Sequence, residues 1–153
     1  MIVDLAEFLV SGQFGPLGSG AKLLDIRRAF GEPDVLTPSR KSYPTMLVYG
    51  DVEFCLRNDR LTVITISLTA ELPSTPATMK LRGLLAPSER RLDLVAQLLK
   101  ERGVSWRLDA IMSEESSPVY ITARGVHMAF NDNTLVRAAA DYGSYASGVA
   151  RGH

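Results

Sequence analysis

The sequence predicts an α+β fold, an antiparallel sheet of about six to seven strands with helices packed on one face. Three observations carry this expectation. Two triplets of short alternating segments are joined by two-residue turns, which permit only antiparallel pairing. A helical pattern precedes each triplet. Finally, "PTMLVYGDVEFCLRNDRL" at 44–61 returns in outline as "PVYITARGVHMAFNDNTL" at 118–135, 74 positions later.

The elements follow in order. Ile2, Leu5, Ala6 and Leu9 recur at helical spacing, so residues 2–10 read as a helix that Ser11-Gly12 can end. "GQFGPLGSG" is too rich in glycine, with Pro16, to hold a regular element. "AKLLDIRRAFG" is a second helix, with Ser19 a candidate N-cap, Leu23, Ile26 and Phe30 on one stripe, and Gly31 then Pro33 as its stop. "DVLTPSRKSYP" reads as a polar link. Strands are expected over 43–49, 52–57 and 60–68, with hairpin turns at Gly50-Asp51 and Asn58-Asp59. Residues 69–89 carry three prolines and read as a linker between halves. Ser88 can cap a third helix, whose Leu92, Val95, Ala96 and Leu99 share a face and which Gly103 closes. Residues 104–112 alternate as a strand with Val104, Trp106, Leu108 and Ala110 on one side, Trp106 being assigned to the core. Strands at 119–123, 126–131 and 134–142 complete the pattern, and the tail 143–153 is small, polar and expected to fray.

Shifted by 74, Pro44 falls on Pro118, Leu47 on Ile121, Val52 on Val126 and Leu61 on Leu135. Phe54 and Leu56 fall on Met128 and Phe130, and Asn58-Asp59 on Asp132-Asn133; a shift of 72 lays Gly31 on Gly103. Only three of the eighteen hairpin positions are identical. Any two hairpins with alternation and a turn residue agree to some degree. Recurrence of a whole unit, from helix through glycine, link and proline to strand triplet, favours a tandem duplication. The expected organisation is a single domain over 1–153 with repeat halves 17–70 and 87–142, each too small to bury much surface alone.

Lys+Arg and Asp+Glu balance at 17 each, which provides no field to attract nucleic acid or an anionic membrane. The chain is 46% hydrophobic and 22% charged, as globular proteins are. One cysteine, Cys55, allows no intrachain disulfide and fits a cytoplasmic protein. "MIVDLAEFLVSG" carries Asp4 and Glu7 and no basic residue, unlike a secretory signal. No run approaches the ~20 apolar residues that span a bilayer.

Catalytic patterns are sparse. Cys55 has no local cation or helix N-terminus to lower its pKa and reads as a small buried hydrophobe. His127 lies on the corresponding strand, so a Cys–His pair across the halves is a second reading. Asp25, Glu32, Asp34, Asp51 and Glu53 are scattered, and His153 is the last residue, so no metal cluster is expected. The glycine-rich loop lacks the lysine and hydroxyl of a phosphate-binding loop, and no strand precedes it. No catalytic residue, metal or cofactor is therefore assigned. The expected outer strand faces are more informative. Glu53, Arg57, Arg107, Asp109, Tyr120, Arg124, His127 and Asn131 are assigned to them, a mixture suited to binding another protein and equally compatible with an ordinary solvated sheet face.

"LGSGAKLLDIRRAFGEPD" followed by "YGDVEF" resembles the BamE/SmpA-OmlA type of domain, in which a glycine-started helix ends in Gly-x-Pro and leads into an antiparallel sheet. The motif here is Gly31-Glu32-Pro33; the resemblance covers residues 17–68 through it and 88–142 in element order. Proteins of the β-lactamase-inhibitor-protein type build a binding sheet from two such modules. By analogy, bacterial immunity proteins that cover a toxin's active site share this catalytically empty look. The resemblance implies the fold and an inhibitor-like architecture; with the cysteine usage, the mixed outer face and the lack of a catalytic constellation, the expectation is a bacterial, cytoplasmic, non-catalytic protein-binding module, monomeric or homodimeric. Its partner would be a protein such as a toxin, bound through the sheet face. The alternative is a small-ligand binder or enzyme with a pocket between the halves, using Cys55, His127 and Glu53. A third reading is self-association through an edge strand at 104–112.

Overall fold

The computed structural model describes residues 1–37 and 44–143. Two tight turns set the centre of the sheet. Asn58 and Asp59 have φ of 51° and 56°, and Asp132 and Asn133 have 49° and 59°, the left-handed backbone that a two-residue hairpin turn needs and that Asn and Asp tolerate. They join β4 (Val52–Arg57) to β5 (Arg60–Ser67) and β9 (Val126–Asn131) to β10 (Thr134–Asp141). β3 (Thr45–Tyr49) and β8 (Val119–Thr122) flank these hairpins, and β2 (Val35–Thr37) and β7 (Trp106–Leu108) form the edges. The order is β2-β3-β4-β5-β10-β9-β8-β7, antiparallel throughout.

The sheet thus has eight strands, not six to seven. The additional one is β2, which lies inside the segment read as a polar link. Val35, Leu36 and Thr37 pair with Val48, Leu47 and Met46, and a three-residue edge strand fixed by its neighbour leaves no periodicity of its own. β7 is likewise shorter than the 104–112 expected, and Leu108 is exposed. The expected strand start at 43 and the tail from 144 onward, with His153, lie outside the described residues.

A second, parallel pair joins β1 (Ile2–Asp4) to β6 (Lys80–Arg82). Consequently the first helix begins at Leu5 rather than Ile2: α1 spans Leu5–Ser11, and the Asp4 carboxylate accepts from the backbone N–H groups of Ala6 and Glu7 at 2.9 and 3.2 Å. α2 (Leu23–Phe30) is not capped by Ser19. The Asp25 carboxylate accepts from Lys22 N at 2.9 Å, and Asp59, in the β4–β5 turn, accepts from Leu23 N at 3.1 Å. Ser88 falls in a 3-10 turn, Pro87–Glu89, and α3 runs Leu92–Glu101. Among the described residues no helix is long and apolar enough to cross a membrane.

One parity of each central strand is buried: Val52, Phe54 and Leu56 of β4, Ile64 and Ile66 of β5, Val126, Met128 and Phe130 of β9, Ala138 and Ala140 of β10. They form one cluster with Leu5, Phe8 and Leu9 of α1, Ile26 and Phe30 of α2, and Val95 and Leu99 of α3. All three helices therefore cover the same face. Phe14, from the glycine-rich connection, packs edge-on against Phe8, Phe30 and Phe54 with centroids 5.5–5.9 Å apart. Trp106 is half-buried rather than fully in the core, its ring 4.6 Å from that of Tyr120.

Polar clasps tie distant segments together. Arg90 is 1% exposed and has no carboxylate bonded to it; instead its guanidinium donates to Leu135 O at 3.2 Å, Leu68 O at 3.0 Å, Leu84 O at 3.4 Å and Leu85 O. Burial lowers its pKa, with Glu89 opposing. The planar fork satisfies carbonyls from β10, the end of β5 and the connecting segment at once. Buried Tyr49 and half-buried Tyr142 act similarly on helix ends. Tyr49 donates to Gly31 O at 2.8 Å and Tyr142 donates to Gly12 O, these glycines being the C-caps of α2 and α1. Burial pushes each phenol up to about 12, for Tyr49 with Arg27 partly opposing.

Two outcomes are expected. Arg90→Met strands these carbonyls and lowers unfolding free energy by about 3 kcal/mol in urea denaturation, and Arg90→Lys recovers only part of it. The raised tyrosine pKa values give a defined pH window. Below the unfolded value of 10.0 both states are protonated and the contribution is complete; between 10 and about 12 the unfolded chain binds fewer protons than the folded one, so stability falls as pH rises. Tyr49→Phe removes its share of that slope, read from urea midpoints between pH 9 and 12.

Candidate functional site

The candidate site is the sheet face that, among the described residues, carries none of the helices α1 to α3. Directly paired residues of an antiparallel sheet point to the same side, so pairing traces a continuous row across all eight strands. Val35 pairs with Val48, Val48 with Glu53, Glu53 with Thr65, and Thr65 with Ala139; Ala139 then pairs with His127, His127 with Ile121, and Ile121 with Arg107. The inner six of these are partly exposed, and Val35 and Arg107 at the edges are exposed. Flanking positions on the same side are Met46, Cys55, Val63 and Asp141 toward one end, and Ser67, Arg137 and Ala129 toward the other. Most of these residues are β-branched or small, with Glu53, His127, Arg107, Arg137 and Asp141 set among them, so water meets a mixed surface.

Of the residues assigned from sequence, Glu53, His127 and Arg107 lie on the central row. Arg57 pairs with Arg60, and Asn131 with Thr134, where their strands enter the tight turns. β4 and β9 run in register from opposite ends, so these two side chains sit at opposite margins of the face, on the order of 25 Å apart along the strands. Asp109 follows β7, where its carboxylate accepts from Ile111 N and Met112 N at 3.1 and 3.2 Å; it builds a turn. Arg124 is exposed between β8 and β9.

Tyr120 is a correction. It pairs with Met128 and packs against Phe130, at a centroid distance of 5.8 Å, and against Trp106, so it faces the helices. Its neighbour Ile121 takes the open side. The reason is turn length: two residues, Gly50-Asp51, separate β3 from β4, but three, Ala123-Arg124-Gly125, separate β8 from β9. One extra residue exchanges the two faces of the strand before it. Leu47 is therefore buried while Ile121, its partner in the ungapped 74-residue alignment, is not. The sequence reading missed Val48, Thr65, Ala139 and Ile121, and counting turn residues was the signal that could have recovered Ile121.

Three interstrand spacings separate β4 from β9, about 14 Å at ~4.8 Å each. Cys55 and Glu53 are thus beyond hydrogen-bonding distance of His127, and the Cys–His arrangement is not formed. Cys55 N–H and C=O belong to the β-ladder, and Thr62 Oγ1 donates to Cys55 O at 3.1 Å. Among the described residues no three His, Cys, Asp or Glu side chains gather closely enough to hold a metal ion. Surface clefts include one of about 580 Å³ beside Gly18, Gly20 and Arg28, one by Arg91 and Asn133 at the start of α3, and one at the β7–β8 edge that Ile121 and Arg107 of the row help to line. None of these three is lined by Thr65 or Ala139 at the β5–β10 junction. Comparison with protein-family models, with curated proteins and with solved structures finds no match to this chain.

Proposed function

We propose that this chain is a non-catalytic protein-binding module, assembled from two duplicated α+β halves within one domain, whose open sheet face docks a partner protein. A bacterial, cytoplasmic inhibitor that neutralises a toxin by covering it is the concrete form of that reading. The observation that carries it is the row that runs through eight strands from Val35 to Arg107, with α1, α2 and α3 packed on the other side. Such a face mixes β-branched and small residues with Glu53, His127, Arg137 and Asp141 near its centre, a mixture that a recognition surface can use.

Duplication has its own support. β4 and β9, and β5 and β10, have identical lengths at a spacing of 74 residues, and their turns have matching left-handed pairs. Thr65 and Ala139, equivalent at that spacing, pair with each other at the junction. A ligand pocket between the halves, the alternative reading, would have to open at this ladder.

The test is binding to purified products of neighbouring genes, followed by titration calorimetry. Ala139→Arg places a charge at the centre of the row and is expected to weaken the complex at least ~100-fold while leaving the thermal midpoint within a few degrees. A complex indifferent to this change, or a small ligand co-eluting in place of a protein, rejects the proposal. Cys55→Ala is expected to retain partner affinity within about threefold, since Cys55 flanks the row rather than lying on it; loss of function in that variant would favour the ligand or enzyme reading.

A further inference from the structure

We propose that the corner where the glycine-rich connection meets the β4–β5 turn binds a small phosphorylated molecule that also carries hydroxyls, with its phosphate on Arg57 and Arg60 and a hydroxyl on Asp25. This goes beyond the docking reading and does not depend on it. Arg57 and Arg60 pair directly across the strands, so their side chains leave on the same side with Cβ atoms roughly 5 Å apart. Both are exposed. Like charges so placed repel each other. Among the described residues neither guanidinium has an ion pair or a hydrogen bond to offset this. Asp59, in the turn between them, already accepts from Leu23 N at 3.1 Å. An oxyanion set between the two forks removes the repulsion and takes charge-assisted hydrogen bonds from both.

Room for the rest of the molecule adjoins this pair. Leu61 N donates to Ala21 O at 2.7 Å, which holds the glycine-rich connection alongside the start of β5. Gly20 is the point of contact. A Cβ at this residue would lie 3.9 Å from Arg60 Nη1, and its φ of 85° suits glycine. Gly20 also lines the cleft of about 580 Å³, together with Gly18, Ser19, Asp25 and Arg28. Small-molecule sites have volumes of roughly 300–1,000 Å³. One oxygen of Asp25 accepts from Lys22 N at 2.9 Å; among the described residues the other accepts nothing, so it can take a hydroxyl proton. The same carboxylate disfavours a second phosphate in the cleft, and the balance of 17 basic and 17 acidic residues provides no field for a long polyanion. A phosphate at one end and hydroxyls at the other is the ligand chemistry that fits.

The experiment is titration calorimetry of the full chain at fixed ionic strength with inorganic phosphate, ribose and ribose 5-phosphate as probes, and circular-dichroism melts to verify folding. Ribose 5-phosphate is expected to bind at least about tenfold tighter than inorganic phosphate, and ribose not measurably. Arg57→Gln and Arg60→Gln should each weaken both phosphate probes at least about tenfold. Each should leave the melting midpoint unchanged or higher, because it relieves the like-charge pair. Asp25→Asn should leave inorganic phosphate within about twofold and remove the advantage of ribose 5-phosphate. Absence of binding by either phosphate probe at about 10 mM, affinities unmoved by both arginine variants, ribose binding as tightly as its phosphate, or a preference that survives Asp25→Asn each overturns the proposal. So does a short single-stranded oligonucleotide that binds tighter than ribose 5-phosphate through the same arginines, which would make the corner a polyanion site. Docking at the sheet face is read separately by Ala139→Arg, so the failure of one reading leaves the other standing.

Discussion

The ladder between β5 and β10 is the constraint on which the rest depends. Five residue pairs, from Arg137 with Ser67 to Asp141 with Val63, turn two four-stranded meanders into one sheet. Without them β5 and β10 would both be edges with unpaired backbone groups and half-covered apolar faces. The same ladder aligns the buried positions Ile64 and Ile66 with Ala140 and Ala138, so one core serves both halves. Small alanines opposite isoleucines let the helices approach the seam closely. Arg90 then fastens this junction from the side, bonded to carbonyls at the end of β5 and the start of β10.

Among the described residues, helices cover one side of the sheet only, and its two faces differ accordingly. The covered face gains hydrophobic burial and aromatic packing, centred on Phe14, Phe30 and Phe54. The open face keeps its β-branched residues for strand propensity, yet leaves Val48, Val63 and Ile121 only partly covered. Short edges limit the hazard. β2 and β7 have three residues each, too few to template long pairing with another chain, and Arg107 places a charge on one of them.

Much of this was legible in sequence where two local rules agree. Alternation plus Asn-Asp or Asp-Asn turns located β4, β5, β9 and β10 to within a residue, because a two-residue turn fixes register by itself. Leu23, Ile26 and Phe30, and likewise Val95 and Leu99, identified helix faces by their spacing. What was not legible depends on partners distant in the chain. Ile2–Asp4 looks helical until Lys80–Arg82 pairs with it, and Val35–Thr37 looks like a link until β3 defines it. Arg90 reads as an ordinary solvated helix-start arginine, since nothing nearby in sequence announces the four carbonyls around it. On the candidate site, Glu53, His127 and Arg107 followed from parity, whereas Tyr120 did not, because the β8–β9 turn holds one residue more than its counterpart.

The central ladder also fixes an order of events during synthesis. β5 finds its inner neighbour only in a strand made 74 positions later, so the first meander leaves the ribosome with a bare strand edge. At the usual elongation rate of 5–20 residues per second, that edge waits roughly 4–15 s for β10. During this interval the first half can close its own hairpins and lay α2 over Phe54, while the groups β5 will offer to β10 remain solvated or guarded by a chaperone. Vectorial synthesis makes β10, the last of the eight strands to be made, the one that completes the middle of the sheet.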